Sequence, residues 1–294
     1  MFDCVIIGKG PAGITGSLYA VRAGLRTLVV AKSASPLEKS GKIDNYFGFA
    51  AGIAGGELMQ AGENQALRLG VEFTADEVFS ITSNEEGFTV NGSKDDYKAK
   101  TVIIATGLPH KSVNIDNYDK YTGKGVSYCT TCDGYFYKGL KVGIVGSGDF
   151  ALHEALEMLE LAKEVTIFTN GKNPDFSDSM MSMLSKVSFN MKEIVSFDGA
   201  EFLERIRFND GTEENIDGVF LALESASGAD FARQLGVVSE GTAIVVDKDQ
   251  KTNVEGLFAA GDCTGGIRQI AVAVGQGAVA GKRASEYMHT LNRK

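Results

Sequence analysis

The chain has 294 residues, of which 44% are hydrophobic and 23% charged, a composition typical of a folded globular protein rather than a disordered one. Its net charge of -9 argues against binding to the phosphates of a nucleic acid. No apolar stretch approaches the ~18 residues of a membrane helix, and the first residues lack the basic start of a signal peptide. We therefore expect a cytoplasmic protein of about two domains, with no nucleic-acid or membrane partner.

The chain begins with a glycine-rich turn between a strand and a helix. The apolar run Phe2–Ile7 predicts a buried strand, and Gly8-Lys9-Gly10-Pro11-Ala12-Gly13 matches the pattern G-x-G-x-x-G before a predicted helix and a second strand. Gly8 permits the tight turn, Gly10 lets the backbone approach a pyrophosphate, and Gly13 allows the helix to pack closely on the strand. An ordinary turn is the alternative, but it does not need three spaced glycines. The pattern therefore predicts a dinucleotide site.

A second unit of the same kind begins in the middle of the chain. The run Lys141–Val145 precedes Gly146-Ser147-Gly148-Asp149-Phe150-Ala151, a helix to about residue 162 and a strand over 164–168. Strand-rich segments follow each unit. The last ~50 residues, with a predicted strand at 252–262 and a helix at 267–289, are too few to fold alone. We therefore assign them to the first domain.

This organisation predicts an α/β protein with two Rossmann-like, three-layer domains, the second inserted into the first. Residues 1–112 and 242–294 form the first domain, which binds the dinucleotide. Residues 113–241 form the inserted domain.

Two of the four cysteines, Cys129 and Cys132, form a Cys-x-x-Cys pair in a loop with several glycines. A zinc site would require two further ligands, and the remaining cysteines and histidines form no second pair, so no metal site is predicted. Two reduced, buried cysteines are the other alternative. Redox chemistry needs a thiolate and a proton donor for the leaving sulfur, and the adjacent Asp133 can donate that proton. We predict Cys129, Cys132 and Asp133 as catalytic residues.

A carboxylate follows the predicted strand near the end of the chain. In Phe258-Ala259-Ala260-Gly261-Asp262, the Asp262 side chain could accept a hydrogen bond from a ribityl or ribose hydroxyl group. Together with Ala105-Thr106-Gly107, Tyr128-Cys129-Thr130-Thr131-Cys132-Asp133-Gly134 and the first glycine cluster, this segment makes the chain similar to the low-molecular-weight thioredoxin reductases over nearly all of its length.

The resemblance implies a homodimeric, two-domain flavoprotein that binds FAD in the first domain and reduces thioredoxin. By this resemblance Cys132 faces the flavin and Cys129 attacks the disulfide of thioredoxin. The segment Arg268-Gln269-Ile270 matches the family segment that lies against the flavin ring. The predicted cofactor-binding residues are Gly8, Gly10, Pro11, Ala12, Gly13, Asn45, Ala105, Thr106, Gly107, Gly261, Asp262, Arg268, Gln269 and Ile270.

The second Rossmann unit departs from the NADPH-dependent members of the family. Where those enzymes hold the 2′-phosphate with His-Arg-Arg, this chain has Thr169-Asn170-Gly171, and a further family Arg falls on Asp175. Each lost Arg–phosphate contact costs roughly 1.5–3 kcal/mol, so NADPH should bind weaker by several powers of ten. Asp149-Phe150 also places an acid and a ring where a pyrophosphate would meet the helix. The inserted domain is thus predicted to carry a degenerate NAD(P)-type unit.

This pattern resembles the ferredoxin-dependent flavin thioredoxin reductases, which are independent of pyridine nucleotides, and makes reduced ferredoxin the expected electron donor. Docking of an acidic ferredoxin on a chain of charge -9 would need a local basic patch, for which Lys9, Lys32, Lys39 and Lys42 are the candidates. Two other functions stay open: a flavin-dependent dithiol oxidase that uses oxygen, and a non-catalytic flavin redox sensor.

Overall fold

The structure is a computed structural model that describes residues 1–32, 34–107, 114–127, 130–181, 183–223, 227–291 and 293. Its strands are β1 (Phe2–Ile7), β2 (Thr27–Val30), β3 (Lys42–Ile43), β4 (Ile53–Ala54), β5 (Glu72–Thr74), β6 (Val78–Asn84), β7 (Gly87–Gly92), β8 (Asp96–Ile104), β9 (Val126–Ser127), β10 (Lys141–Val145), β11 (Glu164–Phe168), β12 (Ser188–Asn190), β13 (Ile194–Asp198), β14 (Arg205–Phe208), β15 (Glu213–Asn215), β16 (Gly218–Leu221), β17 (Ser239–Glu240), β18 (Ala243–Ile244) and β19 (Leu257–Ala259). Its helices are α1 (Pro11–Arg22), α2 (Gly55–Arg68), α3 (Tyr118–Tyr121), α4 (Thr130–Asp133), α5 (Asp149–Leu159), α6 (Asp178–Met181), α7 (Gly228–Gln234) and α8 (Ile270–Leu291).

The chain divides into two units, the first formed by Met1–Pro109 with Ser227–Lys294 and the second by His110–Ala226. The first unit contains a seven-stranded sheet in the order β5-β2-β1-β8-β7-β6, with β19 also paired to β8. Strands β5, β2, β1, β8 and β19 are parallel, whereas β6, β7 and β8 pair in antiparallel fashion. Strands β1, β2 and β19 are almost continuously apolar and mostly buried, as expected for the centre of a sheet covered on both faces.

The second unit has its own five-stranded parallel sheet in the order β12-β11-β10-β16-β9, and a separate antiparallel sheet formed by β13, β14 and β15. Strand β10, the glycine turn after it, α5 and β11 form the predicted second βαβ unit. The predicted fold class, an α/β protein with two Rossmann-like units, is therefore confirmed.

The second crossing between the units lies earlier than the sequence suggests, after Ala226 rather than before residue 242. The segment that follows this crossing is tied to the first unit by hydrogen bonds. Gln234 in α7 accepts a hydrogen bond from the Ile81 backbone N at 3.1 Å, and Asn253 donates one to the Gly236 carbonyl at 3.0 Å. The first of these contacts joins residues 153 positions apart in sequence, so the pattern of the segment itself could not reveal it. The predicted first crossing, at residues 112 and 113, falls outside the described residues.

The two ends of the chain meet where α1 packs against α8. A Cβ atom on Gly277 would lie 2.2 Å from the Ala12 carbonyl oxygen, and one on Gly281 would lie 2.3 Å from the Gly16 carbonyl oxygen. Both distances are far below van der Waals contact, so only glycine allows this backbone approach. The helix rich in small residues thus completes the first unit, as the sequence predicts.

The last strand is shorter than predicted. The expected strand over 252–262 contracts to β19, because Thr252 and Leu257 close a turn in which Gly256 has a φ of +77°. Among the described residues, no helix combines the length and apolar character needed to cross a bilayer.

The packing of α8 on α1 can be tested with two glycines of one helix. We expect Gly277→Ala to lower the free energy of unfolding by about 1–3 kcal/mol, because the added methyl group collides with the Ala12 backbone. Gly275→Ala is the matched control, since a Cβ atom at Gly275 meets nothing within 4 Å and alanine favours a helix by up to about 1 kcal/mol. Urea denaturation followed by circular dichroism measures both. Equal stability of the two variants would contradict the close packing.

Candidate functional site

Three loops of the first unit begin at one edge of its parallel sheet. Ile7 at the end of β1 is paired in register with Ile104 at the end of β8, and Ile104 is paired with Ala259 at the end of β19. The loops that follow these strands hold the predicted Gly8, Ala105 and Gly261 clusters. Since the carboxyl ends of parallel strands form one edge, the fold brings together segments that lie about 100 and 150 residues apart in sequence.

The three glycines of the first turn differ in how closely other protein atoms approach them. Gly8 has a φ of +108°, and a Cβ atom there would lie 2.3 Å from the Ala105 carbonyl oxygen. A Cβ atom on Gly13 would lie 1.9 Å from the Gly8 carbonyl oxygen. At Gly10, in contrast, the nearest heavy atom is the Ser35 Oγ at 3.8 Å. Gly8 and Gly13 are therefore required by protein packing, whereas packing within the protein does not require a glycine at Gly10.

The start of α1 offers unpaired backbone donors. Gly10 is the N-terminal cap of this helix, Pro11 is its first residue, and no side chain of the described residues caps it. The first backbone N–H groups of a helix have no partner within the helix and, with the helix dipole, attract anions. The absence of a side-chain cap therefore leaves the N–H groups near Ala12 and Gly13 available to a phosphate.

The segment after β8 contributes a buried hydroxyl group. Thr106 Oγ1 is inaccessible to solvent and finds no hydrogen-bond partner among the residues that the structure describes. A buried hydroxyl without a partner is costly, so this group favours a bound polar ligand. Ala105 before it is buried, and Gly107 after it has a φ of +73°.

The segment after β19 turns directly beside the start of α1. Gly261 has a φ of +84°, and a Cβ atom on it would lie 2.9 Å from the Ala12 Cβ. Its backbone N–H donates to Gln276 Oε1 at 2.8 Å, which fixes the turn against α8. Asp262 then begins a short 3-10 helix and is partly exposed. The predicted carboxylate therefore lies close to the helix start that offers backbone N–H groups.

The remaining predicted cofactor residues lie in the segment before α8 and in the loop after β3. Asn45 donates to Gln269 Oε1 at 2.9 Å, which joins two segments separated by more than 200 residues. Arg268 and Gln269 precede the helix and are exposed, and Ile270 is its first residue. The structure thus brings all fourteen predicted cofactor residues into the first unit.

Only part of the predicted dithiol site can be described. Cys129 lies outside the described residues, and Cys132 is placed by its backbone in α4. Asp133, the last residue of α4, accepts a short hydrogen bond of 2.5 Å from the Ser127 hydroxyl at the end of β9. Burial raises the pKa of the other two thiols, Cys4 and Cys263, to about 12. Those two cysteines are therefore poor candidates for redox chemistry.

Aromatic residues follow α4, with different environments. Tyr135 and Phe136 are 72% and 77% exposed, whereas Tyr137 packs edge-on against Phe220 with ring centroids 5.2 Å apart. Tyr137 therefore packs into the protein, whereas its two neighbours are largely exposed.

A buried acid of α5 contacts α4, and we did not predict this residue from the sequence. Glu154 of α5 is 4% exposed, and its Oε2 accepts a hydrogen bond of 2.6 Å from the Thr130 hydroxyl in α4. Burial raises the pKa of this carboxyl to about 7, although the Thr130 hydrogen bond opposes the shift. A glutamate on the predicted buried face of a helix is the only sequence signal that could have indicated this contact.

The second glycine turn is covered by the chain itself. Gly148 forms a parallel bridge with Asp175, whose backbone N–H donates to the Ser147 carbonyl at 2.7 Å. The Asp149 carboxylate at the start of α5 is buried and accepts a hydrogen bond of 2.8 Å from the Ser177 backbone N. The place where a nucleotide pyrophosphate would lie in a Rossmann unit is thus taken by residues 175–177 and a negative charge.

The residues that follow β11, the strand after this turn, stabilise the fold of the second unit. Thr169 is buried, Asn170 has a φ of +51° and accepts a hydrogen bond of 2.7 Å from the Ile194 backbone N, and Gly171 has a φ of +76°. The side chain of Asn170 therefore anchors a turn instead of facing a phosphate.

Known proteins are similar to this chain over its whole length. A family model described as pyridine nucleotide-disulphide oxidoreductase matches residues 2–277. The thioredoxin reductase of Listeria innocua is 32% identical over 304 residues, which cover 99% of this chain and 95% of that protein. The chain belongs to the pyridine nucleotide-disulphide oxidoreductase family. The family's thioredoxin reductases are FAD-binding flavoproteins, so the predicted cofactor is confirmed.

Two solved structures of the family extend the comparison. The crystal structure of the atypical thioredoxin reductase TRi from Desulfovibrio vulgaris Hildenborough has a TM-score of 0.95 and 41% sequence identity, with 99% of both chains covered. A ferredoxin-flavin thioredoxin reductase from Clostridium acetobutylicum has a TM-score of 0.74 and 33% identity, with 98% of both chains covered.

The first unit fits the family's cofactor. The uncapped start of α1, the open space beside Gly10 and the unpartnered Thr106 hydroxyl are suited to a dinucleotide. The glycine turn and Asp262 are therefore the residues that we expect to hold FAD.

The open space beside Gly10 provides a test of this assignment. We expect Gly10→Val to fold, because φ is -74° and ψ is -178° and no protein atom lies within 3.4 Å of the added Cβ. Its side chain would occupy the ligand's space and weaken flavin binding by at least about tenfold. The visible absorbance of flavin per chain measures this loss. Gly41→Val is the control, since a Cβ atom there meets nothing within 4 Å. A variant at Gly10 with full flavin content would contradict the assignment.

Proposed function

We propose that this chain reduces the disulfide of thioredoxin through Cys129 and Cys132, with electrons from a ferredoxin-type donor and not from NADPH. The observation that carries the choice of donor is the second glycine turn, which is covered by residues 175–177 and holds the buried Asp149 carboxylate. FAD, when bound, supplies a two-electron store that can be filled one electron at a time. In this proposal the first unit holds FAD and the second carries the dithiol.

The chemistry of the dithiol is an exchange between two disulfides. The Cys129 thiolate attacks one sulfur of the partner's disulfide, forms a mixed disulfide and releases the first partner thiolate. The Cys132 thiolate then attacks the Cys129 sulfur, which forms the Cys129–Cys132 disulfide and releases the second partner thiolate. The partner gains two electrons and two protons, and the dithiol loses them. Asp133, next to Cys132 and held by Ser127, is the group that we assign to proton transfer.

A protein substrate is supported by the surface beside α4. Tyr135 and Phe136 are neighbouring aromatic side chains that expose more than two thirds of their surface. Exposed aromatic residues next to a reactive pair favour contact with a partner protein, because such side chains contribute much of the binding energy of interfaces. This surface lies in the same unit as α4.

The proposed donor is supported by charge. Asp175 and Asp149 lie where phosphates would lie in an NADPH enzyme, and both carboxylates would repel them. The chain retains the α/β scaffold without the groups that bind the nucleotide, and a fold does not by itself imply the function. Similarity to a ferredoxin-flavin thioredoxin reductase also favours a ferredoxin-type donor.

The lysines considered for ferredoxin docking offer less positive charge than the sequence suggests. Lys9 lies 3.4 Å from Glu63, Lys32 lies 2.8 Å from Glu77, and Lys42 lies 2.7 Å from Asp44. These ion pairs neutralise three of the four candidates, so we do not assign the donor's docking surface to this group. We retain a homodimer in the cytoplasm as part of the proposal, on the resemblance alone.

The roles of the two cysteines can be separated by substitution. We expect Cys129→Ser to abolish thioredoxin reduction and to leave reduction of the flavin by its donor unchanged, because only the attack on the partner is lost. Cys132→Ser should abolish the same activity and also stop electrons from leaving the flavin. Cys263→Ser is the control, since this thiol is buried and should be a bystander. Thioredoxin turnover, measured with the donor in excess, distinguishes these outcomes. Full activity of either dithiol variant would show that the pair is not catalytic.

The electron donor can be identified by anaerobic titration of the yellow protein. We expect reduced ferredoxin to bleach the flavin, whereas NADPH and NADH should leave its absorbance unchanged. Rapid bleaching by NADPH would contradict the proposal for the donor but not that for the dithiol. Fast oxygen consumption with a dithiol substrate would instead favour the oxidase.

A further inference from the structure

The short helix α4 is attached to α5 through one side chain. Thr130, which lies between the two cysteines in sequence, is 3% exposed. Its hydroxyl group lies 2.6 Å from Glu154 Oε2 and 3.2 Å from Glu157 Oε2, and its backbone N lies 3.4 Å from the same Glu154 oxygen. The backbone that carries Cys132 therefore rests directly on two carboxyl groups of α5.

The geometry around the Thr130 hydroxyl indicates whether both carboxyl groups can be ionised. A threonine hydroxyl has one proton and can donate to one acceptor at a time, yet two carboxyl oxygens lie within 3.2 Å of it. If both carboxyls were ionised, one contact would place lone pairs against each other beside two like charges. A proton on one carboxyl removes the repulsion between the two charges. Glu154 is buried and Glu157 is exposed, so the neutral form is favoured at Glu154.

The charged groups around Glu154 do not compensate it fully. On α5 itself, His153 lies 3.3 Å from Glu157, and His153 opposes the rise in the pKa of Glu154 whereas Glu157 adds to it. Asp133 on α4 acts with burial to raise the pKa of Tyr137. The strands packed against α5 begin with Lys141 and Glu164, which pair with each other at 3.0 Å.

We propose that Glu154 is a positioning residue whose ionisation makes the Cys129/Cys132 thiolate less favourable. The inference rests on the proposed function of the pair. A neutral Glu154 adds no charge at its contact with Thr130, the residue after Cys129, whereas its carboxylate would repel a thiolate on the adjacent residues of the chain. The same carboxylate would accept a stronger hydrogen bond from Thr130 and hold α4 more tightly. Thiol reactivity should therefore depend on two ionisations, that of the thiol and that of Glu154.

The sign of the effect follows from this repulsion. As pH rises and Glu154 ionises, the new negative charge raises the pKa of the thiol. The change from thiol to thiolate is therefore spread over a wider pH range than the titration of a single, isolated thiol. We expect Glu154→Gln to leave one ordinary ionisation, with the apparent pKa of the thiol lowered by about 0.5–1 unit.

The experiment measures alkylation of the reduced, FAD-loaded protein by iodoacetamide between about pH 5 and 10, with the peptide of residues 129–132 followed by mass spectrometry. Cys4 and Cys263 serve as internal references, because burial raises the pKa of both thiols to about 12. The matched control is Glu157→Gln, which removes the exposed acid. Its alkylation rate should still rise in two steps with pH, and the step that belongs to Glu154 should move to lower pH. A profile of Glu154→Gln identical to that of the unchanged protein would overturn the inference.

A second pair of variants decides the question if Glu154→Gln does not fold. Thr130→Val removes a hydrogen bond that lowers the pKa of Glu154 and should move its step to higher pH by about 0.5–1 unit. Thr130→Ser keeps the hydroxyl and should leave the profile unchanged. Equal profiles for the valine and serine variants would overturn the inference. Failure of the unchanged protein to form a Cys129–Cys132 disulfide on oxidation would instead refute the proposed function itself.

Discussion

The contact between the backbones of α1 and α8 is the constraint on which the first unit depends. Glycines at 277 and 281 allow the last helix to approach the carbonyl groups of the first helix, which no larger residue would permit. Because these helices come from opposite ends of the chain, their contact closes a unit that the middle of the chain must leave and re-enter. It also places Gly261 beside Ala12, so that the last loop of the sheet lies next to the glycine turn. The predicted FAD site is therefore a consequence of this packing as much as of its motif.

Helix α5 follows the second glycine turn but carries different chemistry. At its start, Asp149 satisfies the backbone N of Ser177 and places a negative charge where a helix N-terminus would otherwise attract a phosphate. Its buried face places Glu154 against Thr130 in α4, the helix whose backbone carries Cys132. One helix thus opposes a nucleotide at its start and supports α4 farther along. This arrangement agrees with our proposal that the second unit keeps the Rossmann scaffold for its dithiol and obtains electrons by another route.

The ion pairs show why charge counted along a sequence differs from charge on a surface. Lys9 and Lys32 have no acidic neighbour in the sequence, yet in the fold Lys9 lies 3.4 Å from Glu63 and Lys32 lies 2.8 Å from Glu77. Glu77, which pairs with Lys32, is almost fully buried, so this charge is a feature of the interior as well as the surface. A docking surface for a charged partner therefore cannot be assigned from the lysines alone.

The sequence by itself determined the two βαβ units, the glycine turn and the family, because apolar runs, helical periodicity and spaced glycines are local patterns. Strand β11 occupies the residues predicted for it, and helix α1 follows the first glycine turn as predicted. The tertiary structure alone decided which residues meet across long separations. The position of the second crossing depends on Gln234 binding β6, the support of α4 depends on Glu154 reaching Thr130, and the covering of the second turn depends on Asp175 bridging to Gly148. Each of these is a contact between segments at least 24 residues apart, and no local pattern records it because it arises only when the sheets have brought those segments together.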